Sequence, residues 1–304
     1  MSDLVLSAHK IVKRYKRTLA VNDATFDIEK GKIYGFIGQN GAGKTTFIRL
    51  IAGMARPTSG TLNLFGRSDE AGLRKGRKKL GYIIESPSFY TNMSAEENIK
   101  MVQILHGIKD EEQVKRLLDM VGLSDTGKKK AKDFSLGMRQ RLSIAMSLVN
   151  SPEFLVLDEP INGLDPVGIK DVRELLLRLN SEYGITILIS SHILSELYQL
   201  VSDYIIIHKG RIVERLTQNE LERKCNRYIR VKVDNVDRAL EVLKGLGAVD
   251  VVVDENVLSI YDNLETETLA KAFMDERILV TELLTAGESL ESYYVKLIGG
   301  GSDE

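Results

Sequence analysis

The 304 residues contain a single cysteine, Cys225, so neither a disulfide nor a zinc site can form within the chain, and the composition suits a reducing cytoplasm. An excess of one charge is also missing. With 42 Lys and Arg against 43 Asp and Glu the formal net charge is -1, which removes any strong electrostatic case for nucleic acid or an anionic membrane. Two basic runs, 74–79 and 128–132, read as solvated faces, although the first could also sit near a membrane surface or a ligand cleft. No apolar stretch approaches the roughly 20 residues that cross a bilayer. The start, Met1-Ser2-Asp3-Leu4, lacks a basic segment followed by a long apolar one, so no secretory leader is expected.

What is present describes a globular chain: 43% hydrophobic and 28% charged residues suffice for a buried core. The length exceeds one ordinary domain and predicts a main domain with an appendage. Residues 38–46 read GQNGAGKTT and follow the apolar run Ile33-Tyr34-Gly35-Phe36-Ile37, which suits a buried parallel strand. The spacing G-x-x-x-x-G-K-[ST] is that of a phosphate-binding loop. Gly38, Gly41 and Gly43 let the backbone around Asn40 curl so that several N–H groups face one concavity. Lys44 is placed to reach the β/γ-phosphates of a nucleotide and Thr45 to offer its hydroxyl to Mg²⁺. A helix expected to start near Thr46 turns its positive end toward the anion.

A second apolar run, Phe154-Leu155-Val156-Leu157, ends in Asp158-Glu159-Pro160, which puts two carboxylates at the carboxyl end of a strand, where open α/β sheets bind ligands. Asp158 suits Mg²⁺, and Glu159 suits a general base for an attacking water. Between the two motifs lies Phe134-Ser135-Leu136-Gly137-Met138-Arg139-Gln140-Arg141. Its helix repeats Leu142, Ala145, Met146 and Val149 at helical spacing. Farther on come Asn162-Gly163-Leu164-Asp165 and, after the apolar strand 186–189, Ser190-Ser191-His192. His9, His106 and His208 read as structural.

This order of five motifs, covering about the first two-thirds of the chain, resembles the nucleotide-binding subunit of ABC transporters. The resemblance implies ATP and Mg²⁺ as cofactors, Tyr15 as the aromatic stacking on adenine, and Ser135 and Gly137 as the signature that contacts the γ-phosphate from the opposite subunit. It also implies Asp165 as the residue communicating between two sites and His192 as the switch histidine. The implied catalytic set is Glu159, His192 and Lys44. The implied partners are a separate membrane permease and a second nucleotide-binding subunit, most simply in a homodimer, with a heterodimer left open; no nucleic acid is expected. The implied location is the cytoplasmic face of the membrane, held there through the permease.

Two motifs depart from the family pattern. Leu136 and Met138 stand where the signature carries a glycine and the glutamine. Glu85 stands where most members carry Gln, and is counted here as a metal ligand beside Thr45 and Asp158. The stretch Glu85-Ser86-Pro87-Ser88-Phe89-Tyr90, with Glu96-Glu97-Asn98, resembles bacitracin-type and lantibiotic-immunity exporters in particular and points toward antimicrobial peptides.

The fold class expected is α/β: an ABC-type P-loop domain over 1–219, with a helical subdomain at about 94–137, then a smaller α+β, ferredoxin-like domain over 220–304. The second domain is read from alternating strand patterns and apolar helices in the order β-α-β-β-α-β. It shows no catalytic constellation and is expected to be regulatory or dimer-stabilising. A final helix through Leu290 and Leu297 leads into a Gly299-Gly300-Gly301 tail. The competing reading is a soluble ABC-type ATPase acting on nucleic acid or ribosomes, which usually carries a coiled-coil insertion or two cassettes. A metabolic P-loop kinase leaves the signature and His192 unexplained.

Overall fold

The strands β3 (Ile33–Ile37), β6 (Phe154–Asp158) and β7 (Thr186–Ser191) are buried at every position, as parallel strands covered on both faces must be. The structure is a computed structural model that describes residues 4–85, 89–225, 228–262, 264–287 and 290–299. The chain start, residues 86–88 within the exporter-like stretch, and the tail beyond Gly299 lie outside the described residues. The chain divides into two compact units, Met1–Gln218 and Asn219–Glu304.

In the first unit, β1 (Leu4–Tyr15) pairs antiparallel with β2 (Thr18–Glu29) and with β4 (Ser59–Leu64). The main sheet takes β3, β5 (Leu80–Ile83), β6, β7, β8 (Asp203–His208) and β9 (Arg211–Thr217) in the order β5-β6-β7-β3-β8-β9. Only the β8–β9 hairpin is antiparallel. Register aligns Asp158 with Ser190, and Ser191 with Ile37, so the carboxyl ends of three adjacent strands finish together. Helix α1 (Lys44–Ala52) leaves β3 through the glycine-rich loop. It is anchored by Phe47, whose ring packs 4.8 Å from that of Phe26 and 5.7 Å from that of Phe36, joining α1, β2 and β3. The helix begins at Lys44, two residues before the expected Thr46, because Gly43 makes the turn at φ 111°.

Helix α2 (Glu70–Arg77) precedes β5. Helices α3 (Ala95–His106) and α4 (Glu111–Met120) fill the helical stretch, and α5 (Leu136–Ser147) follows it. A reciprocal Ser94–Glu97 capping box starts α3, and Gly107 ends it in the left-handed region. The Ser94 N–H and Lys130 hold the Glu97 carboxyl below its ordinary range. Helix α6 (Pro166–Ser181) opens with Asp165 as N-cap and Pro166 at the first position, and the short α7 (Leu194–Leu197) follows β7.

The second unit, entered through α8 (Gln218–Lys224), contains β10 (Tyr228–Val233), α9 (Val236–Gly245), β11 (Val251–Asp254), β12 (Val257–Ile260), α10 (Thr266–Asp275), β13 (Val280–Ala286) and α11 (Leu290–Gly299). Its antiparallel sheet has the order β11-β12-β10-β13, the ferredoxin-like arrangement. Ile229, Val231 and Val233 point into a core with Leu258, Ile260, Leu269 and Phe273. Two strands begin later than the apolar stretches 249–253 and 278–283 suggest. Asp262 accepts the N–H groups of Val249 and Asp250, which withholds them from β11. The Ile278 N–H closes α10 by bonding the Phe273 carbonyl, so β13 starts at Val280.

Candidate active site

The phosphate loop is shaped by close backbone approaches. A side chain at Gly43 would lie 2.4 Å from the Ala20 carbonyl, and one at Gly38 would lie 2.6 Å from that of Ile207. The loop is backed by the β8–β9 turn: the Gly210 N–H bonds the Ala42 carbonyl at 2.9 Å, and the Gly210 carbonyl accepts from Asn22 at 2.8 Å. The Gly38 N–H bonds the Ser191 carbonyl at 3.2 Å, tying the loop to the end of β7. Asn40 and Gly41 form the exposed tip, while Thr45 and Thr46 are half-buried on the first turn of α1.

Lys44 is buried, yet its charge is fully engaged. Its Nζ donates to the Gly38 carbonyl at 2.5 Å and lies 3.2 Å from Glu159 Oε1. The other oxygen of Glu159, Oε2, lies 2.6 Å from His192 Nδ1, which donates to it when protonated there. Glu159 itself sits at φ 51°, a left-handed conformation that a non-glycine residue holds only at a cost. That conformation turns its carboxylate away from Asp158 and between Lys44 and His192. Asp158 is buried, and its Oδ1 accepts from Ser190 Oγ at 2.5 Å. Ser190 Oγ in turn accepts the Glu159 N–H at 2.9 Å. Lys44, Asp158, Glu159 and His192, all picked from the sequence, are therefore gathered at the ends of β3, β6 and β7.

A second group lies together elsewhere. Ser135 caps α5 by accepting the Met138 N–H, and Asp165 caps α6 by accepting the Gly168 N–H. The two helix starts abut: a side-chain carbon at Gly137 would lie 3.8 Å from Gly168 Cα, and one at Gly163 would lie 3.6 Å from Leu136 Cδ2. Leu136 is thus an exposed apolar contact between the signature and the Asn162–Asp165 turn. Arg139 holds the segment by donating to the Phe134 carbonyl at 3.0 Å. Among the described residues no hydrogen bond or ion pair joins this group to Lys44, Asp158 or Glu159.

Two residues stand apart from both groups. Tyr15 is exposed at the end of β1, with Lys13 Nζ 4.7 Å over its ring. Glu85, at φ 60°, pairs with Arg49 on α1 and makes no bond to Asp158 or Thr45. Ser190 and Gly210 carried no assigned role in the sequence. The signal for Ser190 is a small hydroxyl ending an otherwise apolar buried strand just before a histidine; Gly210 in its turn has no comparable local signal.

The donor set for a divalent cation is hard and sparse: the Thr45 hydroxyl and the Asp158 carboxylate, whose Oδ2 makes no hydrogen bond among the described residues. No group of three or more His, Cys, Asp or Glu that could hold a metal occurs among the described residues. Such a set fits Mg²⁺, which keeps several waters and takes phosphate oxygens beside one or two protein ligands.

The ABC transporter family model matches residues 21–162. The bacitracin transport ATP-binding protein BcrA of Enterococcus faecalis is 38% identical over 301 residues, 98% of each chain. The lantibiotic transport ATP-binding protein SrtF of Streptococcus pyogenes is 44% identical over 209 residues, 69% of this chain and 89% of the relative. Among solved structures, cbiO1 of Clostridium perfringens, part of the ABC transporter complex cbiONQ, superposes with a TM-score of 0.66 at 25% identity, over 74% of this chain and 95% of that one. An ATP-binding subunit of an ABC transporter superposes at 0.64 with 29% identity, over 72% and 92%. A P-loop closed onto paired strand-end carboxylates, in a chain with these relatives, identifies the protein as a member of the ATP-binding, ATP-hydrolysing subunits of ABC transporters.

Proposed function

We propose that this chain powers export of an antimicrobial peptide of the bacitracin or lantibiotic kind through a separate membrane permease. The observation that carries the substrate class is 38% identity to BcrA along essentially the whole chain, second unit included. No helix among the described residues is long and apolar enough to cross a membrane, which supports a separate polypeptide as the pore. In this reading the motor attaches to the cytoplasmic face through that permease.

The chemistry follows from the residues. Gly38 to Lys44 present backbone N–H groups and one ammonium to the β/γ-phosphates, and the start of α1 adds its positive end. Tyr15 offers its free face to adenine while Lys13 covers the other. Thr45 and Asp158 would hold Mg²⁺, which would supply charge neutralisation on the nucleotide's phosphates. A phosphate that takes Lys44 removes the cation from Glu159 Oε1. Among the described residues the Glu159 carboxylate then keeps only its His192 partner, and Oε1 is free to accept a proton from water. Glu85 joins the metal set only by leaving Arg49, so its contribution is weaker than that of Asp158.

The second group completes the reading. Ser135, Gly137 and Asp165 gather two helix starts on a surface that, among the described residues, shares no hydrogen bond or ion pair with Lys44, Asp158 or Glu159, which supports a dimer in which each signature meets the other copy's γ-phosphate. The test is expression with the cognate permease in a sensitive host. Resistance to bacitracin or a lantibiotic that disappears with Lys44→Ala is expected; unchanged sensitivity to both classes would move the substrate elsewhere.

A further inference from the structure

The structure assigns Ser190 as the positioning residue that sets the Asp158 carboxylate and the Glu159 backbone at once, so that metal binding and water activation depend on one buried hydroxyl. Ser190 is fully buried and sits directly across the sheet from Asp158. A serine hydroxyl has one proton to donate and lone pairs to accept with. Here the proton goes to Asp158 Oδ1 at 2.5 Å, and a lone pair takes the Glu159 N–H at 2.9 Å. Both bonds have consequences beyond satisfying buried polar atoms. The first consumes Oδ1 and leaves Oδ2 as the carboxylate oxygen without a hydrogen bond among the described residues. The second anchors the peptide N–H of a residue held at φ 51°, the turn that aims the Glu159 carboxylate at Lys44 and His192.

A strand residue in this place would otherwise be apolar, as Leu188 and Ile189 are. Removing the hydroxyl takes the partner from a buried carboxylate oxygen and from a part-buried N–H, and frees both groups to rotate. Partners that orient a metal ligand typically matter by about 10–100-fold in metal affinity or activity. The inference rests on the proposed roles of Asp158 and Glu159, and its test separates the two.

Ser190→Ala, Ser190→Cys and Asp158→Asn are made in the full chain. Binding of trinitrophenyl-ATP is followed by fluorescence without metal and then against Mg²⁺, and steady-state ATP hydrolysis is measured at saturating Mg²⁺. For Ser190→Ala the metal-free binding stays within about twofold of wild type, since the P-loop is untouched. The Mg²⁺ concentration for half-maximal response rises about tenfold, and kcat falls about tenfold or more while KM moves little. Ser190→Cys, close in shape but a weak donor, falls between, and its Mg²⁺ shift decides the matter if the alanine variant does not fold. A wild-type Mg²⁺ response and kcat in the folded serine variants, with Asp158→Asn clearly shifted, would overturn the role of Ser190 alone. No shift in Asp158→Asn would overturn the metal assignment and this inference with it.

Discussion

In the first unit β3, β6 and β7 bury every residue, whereas in the second β10 buries only every other one, with Tyr228, Arg230 and Lys232 on the opposite face from Ile229, Val231 and Val233. The difference decides where chemistry can live. A parallel strand covered on both faces can place a charged side chain only where it ends, so Asp158, Glu159 and His192 are forced into one crevice at the strand tips. There they are desolvated and oriented by neighbours such as Ser190. A one-sided antiparallel sheet puts its charges on a broad face, where Arg230 pairs with Glu282 in partial contact with water. Such pairs steady a surface without forming a crevice. The first unit is a machine built on strand ends; the second is a small core of its own around Val231, Leu258 and Phe273.

Lys44→Ala would test that contrast hardest. It removes the one buried cation of the loop, so nucleotide binding or turnover should be largely lost while the second unit's unfolding transition stays unchanged. Near wild-type affinity and rate, followed by nucleotide fluorescence and phosphate release, would undo the P-loop assignment. Glu159→Gln comes next: the amide keeps its shape but accepts no proton, so hydrolysis should slow by roughly 10²–10⁴-fold with ATP still bound. Normal hydrolysis would move the base to another group, His192 first.

Phe273→Ala empties the second core and should cost that unit roughly 3–5 kcal/mol, read as an earlier calorimetric transition with ATP binding retained. A matching loss in the first unit would mean that the two cores are not independent. Removing residues beyond Thr217 should likewise leave nucleotide binding measurable, since every group of the proposed site lies before it. The smallest effect is expected for Glu85→Gln, which gives up an exposed ion pair with Arg49 and should shift the Mg²⁺ dependence of the ATPase only slightly. Superimposable curves with and without permease would leave that carboxylate no role in metal binding.

Much of the motor was legible because its constraints are local. A P-loop needs its glycines and Lys44 at fixed spacing, and a strand-end carboxylate pair announces itself after four apolar residues. The strand alternation and the apolar helices of the second domain were readable for the same reason. Less legible were features set by partners distant in sequence. The Arg49–Glu85 pair spans 36 residues, and Asp262 shortens β11 from 12 or more positions away. That Ser190 serves Asp158 depends on the pairing of β6 with β7, which no spacing within either strand reveals.

The turn at Gly210 determines where this motor can be cut. Its backbone bridges Ala42 in the phosphate loop and Asn22 in β2, while Ser191 tethers Gly38 from the end of β7. A fragment stopping just after Asp165 would hold every glycine of the loop and both strand-end carboxylates, yet lose the struts that keep the loop in shape. Split-protein complementation or circular permutation should therefore break the chain beyond Thr217, and any transplanted cassette must carry the β8–β9 hairpin with it.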